Sequence, residues 1–186
     1  MPLPTVIAFS GASGSGKTTL INALRNTFDC EVIHFDDHVT KNTYPNDMRV
    51  WLQDGANANQ IKTPDLVNAV LFAIHHTQKA FIFLEEPFGK NRNEISSFID
   101  YSILLDTPLE ICLSRVIKRH MTQNAESALE GINDYLARYD LLLRDCYQTT
   151  NEKARLNSDL VLTNSDNVAT AVVHIKTWLE GLDKVR

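Results

Sequence analysis

The nine residues GASGSGKTT, Gly11 to Thr19, constrain this chain more than any other stretch. An apolar run, TVIAF, precedes them and an amphipathic one, LINALRN, comes after. Gly11, Gly16, Lys17 and Thr18 satisfy the pattern GxxxxGK(S/T). In that pattern glycines let the backbone curl until successive N–H groups face phosphate oxygens, and the next helix adds its positive end. The expectation is a strand-loop-helix unit in which Gly11, Ser13, Gly14, Ser15, Gly16, Lys17, Thr18 and Thr19 surround nucleotide phosphates. Lys17 would reach the outer phosphates and the Thr18 hydroxyl would ligate Mg²⁺.

The rest of the chain reads as one domain, 1–186, with apolar runs of strand length alternating with segments of helical period. Strands are expected at 5–9, 31–35, 80–85, 101–106 and 159–163, and several are apolar without alternation, as strands covered on both faces are. The predicted fold is α/β: a P-loop NTPase fold with a five-stranded, mainly parallel sheet, helices on both faces and a short Arg-bearing lid. Thr63 stands as N-cap of a helix opened by Pro64 and Asp65, with Leu66, Val67, Val70, Leu71 and Ile74 on one face. A second helix from Pro108 carries Leu109, Cys112, Leu113, Val116 and Ile117 inward and Arg115, Lys118 and Arg119 on the other side. A third, 132–147, repeats the stripe with Ile132, Leu136, Tyr139 and Leu143, and a last one does so with Val168, Val172, Ile175 and Leu179. The polar stretches 38–62 and 121–128 are candidates for a substrate-side loop and part of a lid that begins at Arg115.

A formal charge of −5 offers no general field for nucleic acid. No apolar run approaches the ~20 residues that span a bilayer, and MPLPTVIAF lacks the features of a leader, so a cytoplasmic protein is expected. Cys30, Cys112 and Cys146 are far apart and outside any CxxC spacing, which favours small buried thiols over a disulfide framework or a zinc site.

A phosphate loop alone names no reaction, since switches, motors and kinases share it. Transfer of a phosphoryl group to a hydroxyl needs Mg²⁺, positive charge at the moving group and a carboxylate beside the acceptor. HFDDH puts Asp36 and Asp37 just beyond the second strand, at the sheet edge where ligands bind. Asp36 is the candidate base, with capping or water-mediated Mg²⁺ contact as the bland role and Asp37 the more structural of the two. FIFLEEP ends the third strand with Glu85, the candidate Mg²⁺ partner, followed by Glu86. Arg115 and Arg119 can clamp phosphates, although a solvated helix face is the usual fate of such a run.

Taken in order, these residues resemble the uridine kinase and nicotinamide riboside kinase group of P-loop kinases. GASGSGKTT is similar to that group's GxSGSGKTT loop, HFDDH to its base-bearing QDDF or QDSF, and LLDTPLEICLSRVIKRH to its strand, turn and lid helix. SDLVLTNSDN resembles its last strand and adenine loop, which implies Asn164 and Asp166 beside the base of ATP. The resemblance implies a kinase using ATP and Mg²⁺, with Lys17, Asp36, Arg115 and Arg119 catalytic, Thr18 and Glu85 at the metal and Asp54 on ribose hydroxyls. It also implies a small-molecule alcohol as partner and a monomer or homodimer.

Two departures qualify it. Glu86 replaces the group's glycine and adds a charge near the metal, and the helix ending near Lys79 runs into AFIFLE without room for the hairpin with which uridine kinases read a pyrimidine. Tyr44 and Trp51 remain to stack a ring, and His38 to touch the acceptor, while His75 and His76 read as surface residues. The leading function is transfer of the γ-phosphate of ATP to a nucleoside-like riboside, such as nicotinamide riboside. The alternatives are a kinase for another small alcohol and a regulatory NTPase. Against a GTPase, no DxxG comes after the loop, TNSD lacks the Lys of NKxD, and the transporter signature LSGGQ is missing.

Overall fold

A computed structural model describes residues 3–123, 128–163 and 167–183. Five strands, β1 Thr5–Ser10, β2 Cys30–His34, β3 Phe81–Glu85, β4 Tyr101–Asp106 and β5 Leu160–Thr163, form one sheet in the order β2-β3-β1-β4-β5, and every pairing is parallel. Each expected strand is present within one residue of the sequence reading.

Parallel neighbours need crossovers, and helices supply them. They are α1 Lys17–Leu24, α2 Met48–Gln53, α3 Pro64–His76, α4 Asn93–Ser96, α5 Leu109–Gln123, α6 Ala128–Arg138, α7 Arg144–Leu156 and α8 Val168–Asp183. The sheet is covered on both sides because successive residues of its strands face opposite ways. Val6, Ala8, Ile82 and Leu84 pack with Leu66, Val70 and Ala73 of α3. Ile7, Phe9, Phe83, Ile103 and Leu105 pack with Leu20, Ile21 and Leu24 of α1 and with Ile175 and Leu179 of α8. On that second side Phe83 is wholly buried, with ring centroids 5.5 Å from Phe9 and 5.9 Å from both Phe28 and Phe81.

Three local expectations change. Thr63 does hold the N-cap position of α3, yet its hydroxyl caps nothing: it accepts from Arg92 Nη1 at 2.8 Å. The segment 38–62 is not a plain loop, since Asp47 caps α2 by accepting from the N–H groups of Arg49 and Val50. The third helix of the sequence reading is two helices, α6 and α7, joined by a π-helical turn at Tyr139–Leu143. A π turn is wider than an α turn and breaks the phase between the two helices. The expected stripe therefore does not run straight through: Tyr139 is buried, while Leu136 is 36% exposed. Cys112 and Cys146 are buried and Cys30 half-buried, and His75 and His76 lie on the surface.

Replacing Phe83 by Ala removes a ring that three others touch, and should cost about 3–5 kcal/mol of stability with no change in fold, as read by urea denaturation. A cost below about 1 kcal/mol would show that the side carrying α1 and α8 does not depend on this cluster.

Candidate active site

The carboxyl ends of β1, β2 and β3 share one edge, and the site is built there. β1 releases the chain into a loop whose glycines hold left-handed backbone, with φ of 134° at Gly11 and 83° at Gly14. Space forbids a side chain at Gly14 independently of φ, since a Cβ would stand 2.3 Å from the Cys112 carbonyl oxygen of α5. The loop is thus pinned between β1 and α5. Arg115 adds to this from α5, donating Nη1 to the Ser15 oxygen at 3.2 Å and to the Gly14 oxygen at 3.4 Å, while the Thr107 hydroxyl donates to the Ser15 oxygen at 3.0 Å.

Lys17 turns back inside this loop and donates to the carbonyls of Gly11 at 2.9 Å and Ala12 at 3.0 Å. Burial pushes its ammonium below the usual lysine range, and the charges of Glu85 and Asp36 push back. Glu85 comes to it through register: β3 lies between β1 and β2, with Glu85 opposite Phe9 on one side and His34 on the other. Its carboxylate accepts from the Thr18 hydroxyl at 3.1 and 3.2 Å, lies 2.8 Å from His34 Nδ1 and stands 3.9 Å from Lys17 Nζ. Thr18 and Glu85 therefore present hard oxygen donors together, the set that suits Mg²⁺.

A cleft of about 710 Å³ opens over this loop. Lys17, Thr18, Glu85, Asp36, Arg115 and Arg119 line the end of it beside the loop. The other half is largely apolar and aromatic, with Tyr44, Trp51, Phe88 and Tyr147 in its wall. Trp51 is 3% exposed and its indole N–H is taken by the Asn57 carbonyl at 2.9 Å, so it backs the wall with almost no free surface and no donor. Tyr44 is 41% exposed.

Several expected site residues stand elsewhere. Ser15 is fully buried, its N–H donates to the Ala12 carbonyl at 3.1 Å, and it does not line the cleft. Asp54 falls just past the C-terminal end of α2 and is exposed; the helix turns Met48 and Trp51 to the cleft instead. His38 closes the 3₁₀ turn Phe35–His38 half-buried, and neither it nor Asp37 lines the cleft. Asn164 and Asp166 lie outside the described residues, as do 124–127 of the expected lid, whose remainder belongs to α5 and the start of α6. Glu86 adds no charge beside Thr18 and Glu85: it is buried and paired with Arg92.

Sequence reading missed Phe88 and the α6–α7 face that carries Tyr135, Leu142, Cys146 and Tyr147. The π-helical turn sets that face, and no motif announced it. Tyr139 bridges it, its ring centroid 6.1 Å from Tyr135 and 6.4 Å from Tyr147.

No family model matches the chain. Similarity to curated proteins does extend over the whole length. A uridine kinase of Staphylococcus aureus is 22% identical over 207 residues, covering 98% of both chains, and one of Staphylococcus epidermidis is 21% identical over 208 residues, covering 96% of both. The resemblance read from the motifs is to this group. Among solved structures, APS kinase of Mycobacterium tuberculosis, in complex with AMPPNP and APS, superposes with a TM-score of 0.56 at 18% identity over 97% of this chain and 99% of that one. A putative fructose transport system kinase from Silicibacter gives 0.55 at 19%, covering 87% and 91%. The fold is that of the P-loop kinases. Between α3 and β3 the chain has only residues 77–80, so the pyrimidine-reading hairpin of the resembled group is not built at that point. Among the described residues no helix is long and apolar enough to cross a membrane.

Gly14→Ala should raise the Kd for AMPPNP about 10-fold or more, the equivalent of roughly 1.4 kcal/mol of loop strain, with the circular dichroism of the parent. Calorimetric titration reads this directly, and parent-like affinity would mean that the α5 contact does not set the loop.

Proposed function

We propose that the chain moves the γ-phosphoryl group of ATP to a hydroxyl of a small molecule. The observation that carries this reading is the joining of two unlike surfaces in one cleft: the curl of loop backbone around Lys17, and an aromatic half with Asp36 at the boundary. A switch or motor needs the first surface only. The names of the similar proteins, uridine kinase and APS kinase, support the same chemistry here.

In this reading the loop N–H groups and Lys17 hold the β- and γ-phosphates, and Arg119, on the cleft wall, faces the charge that develops on the transferring group. Thr18 and Glu85 would hold Mg²⁺, which when bound neutralises phosphate oxygens. Asp36 is exposed on the cleft side of its turn and takes the proton of the acceptor hydroxyl as that oxygen bonds to the γ-phosphorus and ADP departs. The proton then passes to water.

For the acceptor we propose a riboside-like alcohol whose ring lies against Tyr44, Trp51 and Phe88, nicotinamide riboside being the reference compound. With the hairpin missing, uridine and cytidine should be poorer acceptors. With Asp54 away from the cleft, ribose hydroxyls would meet tyrosine hydroxyls in place of a carboxylate.

A mass-spectrometric transfer screen over ribosides, deoxyribosides and other alcohols, run beside ADP release, tests the reaction. ADP release should turn on only with an acceptor, and acceptor-independent release with no phosphorylated product would point to a regulatory NTPase. Asp36→Asn should lower kcat by ~10²-fold or more with ATP affinity nearly unaltered, whereas Lys17→Ala should abolish transfer and weaken ATP binding as well. A larger loss from Asp37→Asn would move the base to that residue.

A further inference from the structure

Behind the aromatic half of the cleft lies an ion pair from which water is excluded altogether. Arg92 and Glu86 are both 0% exposed, and they meet through two hydrogen bonds, Nη2 to Oε2 at 2.6 Å and Nε to Oε1 at 3.2 Å. Burial pushes the Glu86 carboxyl up, while Arg92 and the Phe88 N–H, which donates to Oε1 at 3.2 Å, pull it back. The remaining guanidinium nitrogen, Nη1, shares its two N–H groups among the Ile61 carbonyl at 3.1 Å, the Thr63 hydroxyl at 2.8 Å and Glu94 Oε1 at 3.1 Å. The guanidinium carbon lies 5.4 Å from the ring centroid of Phe35, the residue before Asp36, and the Phe35 ring meets Phe88 edge-on at 6.0 Å.

One side chain therefore ties together three borders of the acceptor space, all but the α6–α7 face. Through Glu86 it holds the backbone of Phe88, through Ile61 and Thr63 the far end of the segment that carries Tyr44 and Trp51, and through Phe35 the turn that carries Asp36. A pair of apolar side chains would fill the same volume without desolvating two charges, so stability alone does not account for a fully buried ion pair. A planar fork with five donors does something they cannot: it fixes directions among three separate backbone segments.

We propose that Arg92, paired with Glu86, is the positioning element of the acceptor half of the cleft: it sets Asp36, Phe88 and the 38–62 segment in mutual register and leaves the phosphate end untouched. The proposal rests on the kinase reading for its functional consequence and on the geometry alone for its structural one, and the two separate experimentally.

Arg92→Lys keeps the charge but loses the fork, and Glu86→Leu with Arg92→Met removes both charges while keeping the volume. In either folded variant of the full chain, amide hydrogen exchange should quicken about tenfold or more within residues 35–63 and 86–88 while residues 11–24 stay at the parent rate. The Kd for AMPPNP should stay within about twofold of the parent, and kcat/KM for nicotinamide riboside should fall about 100-fold. Exchange unchanged in 35–63 overturns the proposal, and so does a rise in 11–24 of equal size with loss of AMPPNP affinity, which would make the pair general core support. If the lysine variant does not fold, the double variant decides. If the parent phosphorylates no alcohol, the kinase reading fails, and exchange with AMPPNP binding still decides the structural claim.

Discussion

A lysine ammonium folded back into a loop of its own carbonyls is the interaction around which this molecule is arranged. Lys17 is reached by the Gly11 and Ala12 oxygens only because the loop curls through glycine conformations, and the curl holds because β1 feeds it from one side and the Cys112 backbone closes it on the other. A buried cation needs a counter-charge, and Glu85 arrives from β3 because the central strands are in register. The same carboxylate gathers Thr18 and His34. Loop, sheet order and α5 are thus separate answers to one electrostatic requirement.

The two halves of the cleft are held by different physics. At the loop end the groups on offer are backbone dipoles, which are in place as soon as the local chain has its conformation. The acceptor half has no such economy. Its walls come from the turn after β2, the residues after β3, α2 and the α6–α7 face, which share no hydrogen-bonded ladder. Shape there depends on packing among rings and on the buried Arg92–Glu86 pair, which ties the turn after β2 and the residues after β3 to Ile61 and Thr63 beyond α2.

The same division governs how much is legible in the chain without its fold. The central strands β1, β3 and β4 were legible because burial on both faces suppresses alternation, β2 and β5 as short, largely apolar runs, and α3 and α8 because their stripes are regular. The meeting of Lys17, Thr18 and Glu85 was legible because it depends only on position relative to a strand end. Asp54 was misplaced because a six-residue helix, Met48–Gln53, carries it past the cleft, and Leu136 because a single π-helical turn shifts the register between the helices on either side of it. Glu86 read as an extra charge at the metal end because nothing within a few residues of it marks Arg92 as its partner.

The phosphate loop, the strand-helix alternation and the carboxylates at strand ends are written in the order of residues, since all of them depend on contacts between near neighbours or on period. Tertiary structure alone decided which side chains wall the acceptor space and how they are held. Those choices arise from segments far apart in the chain meeting at one guanidinium, and from a change of helical pitch that no residue type encodes.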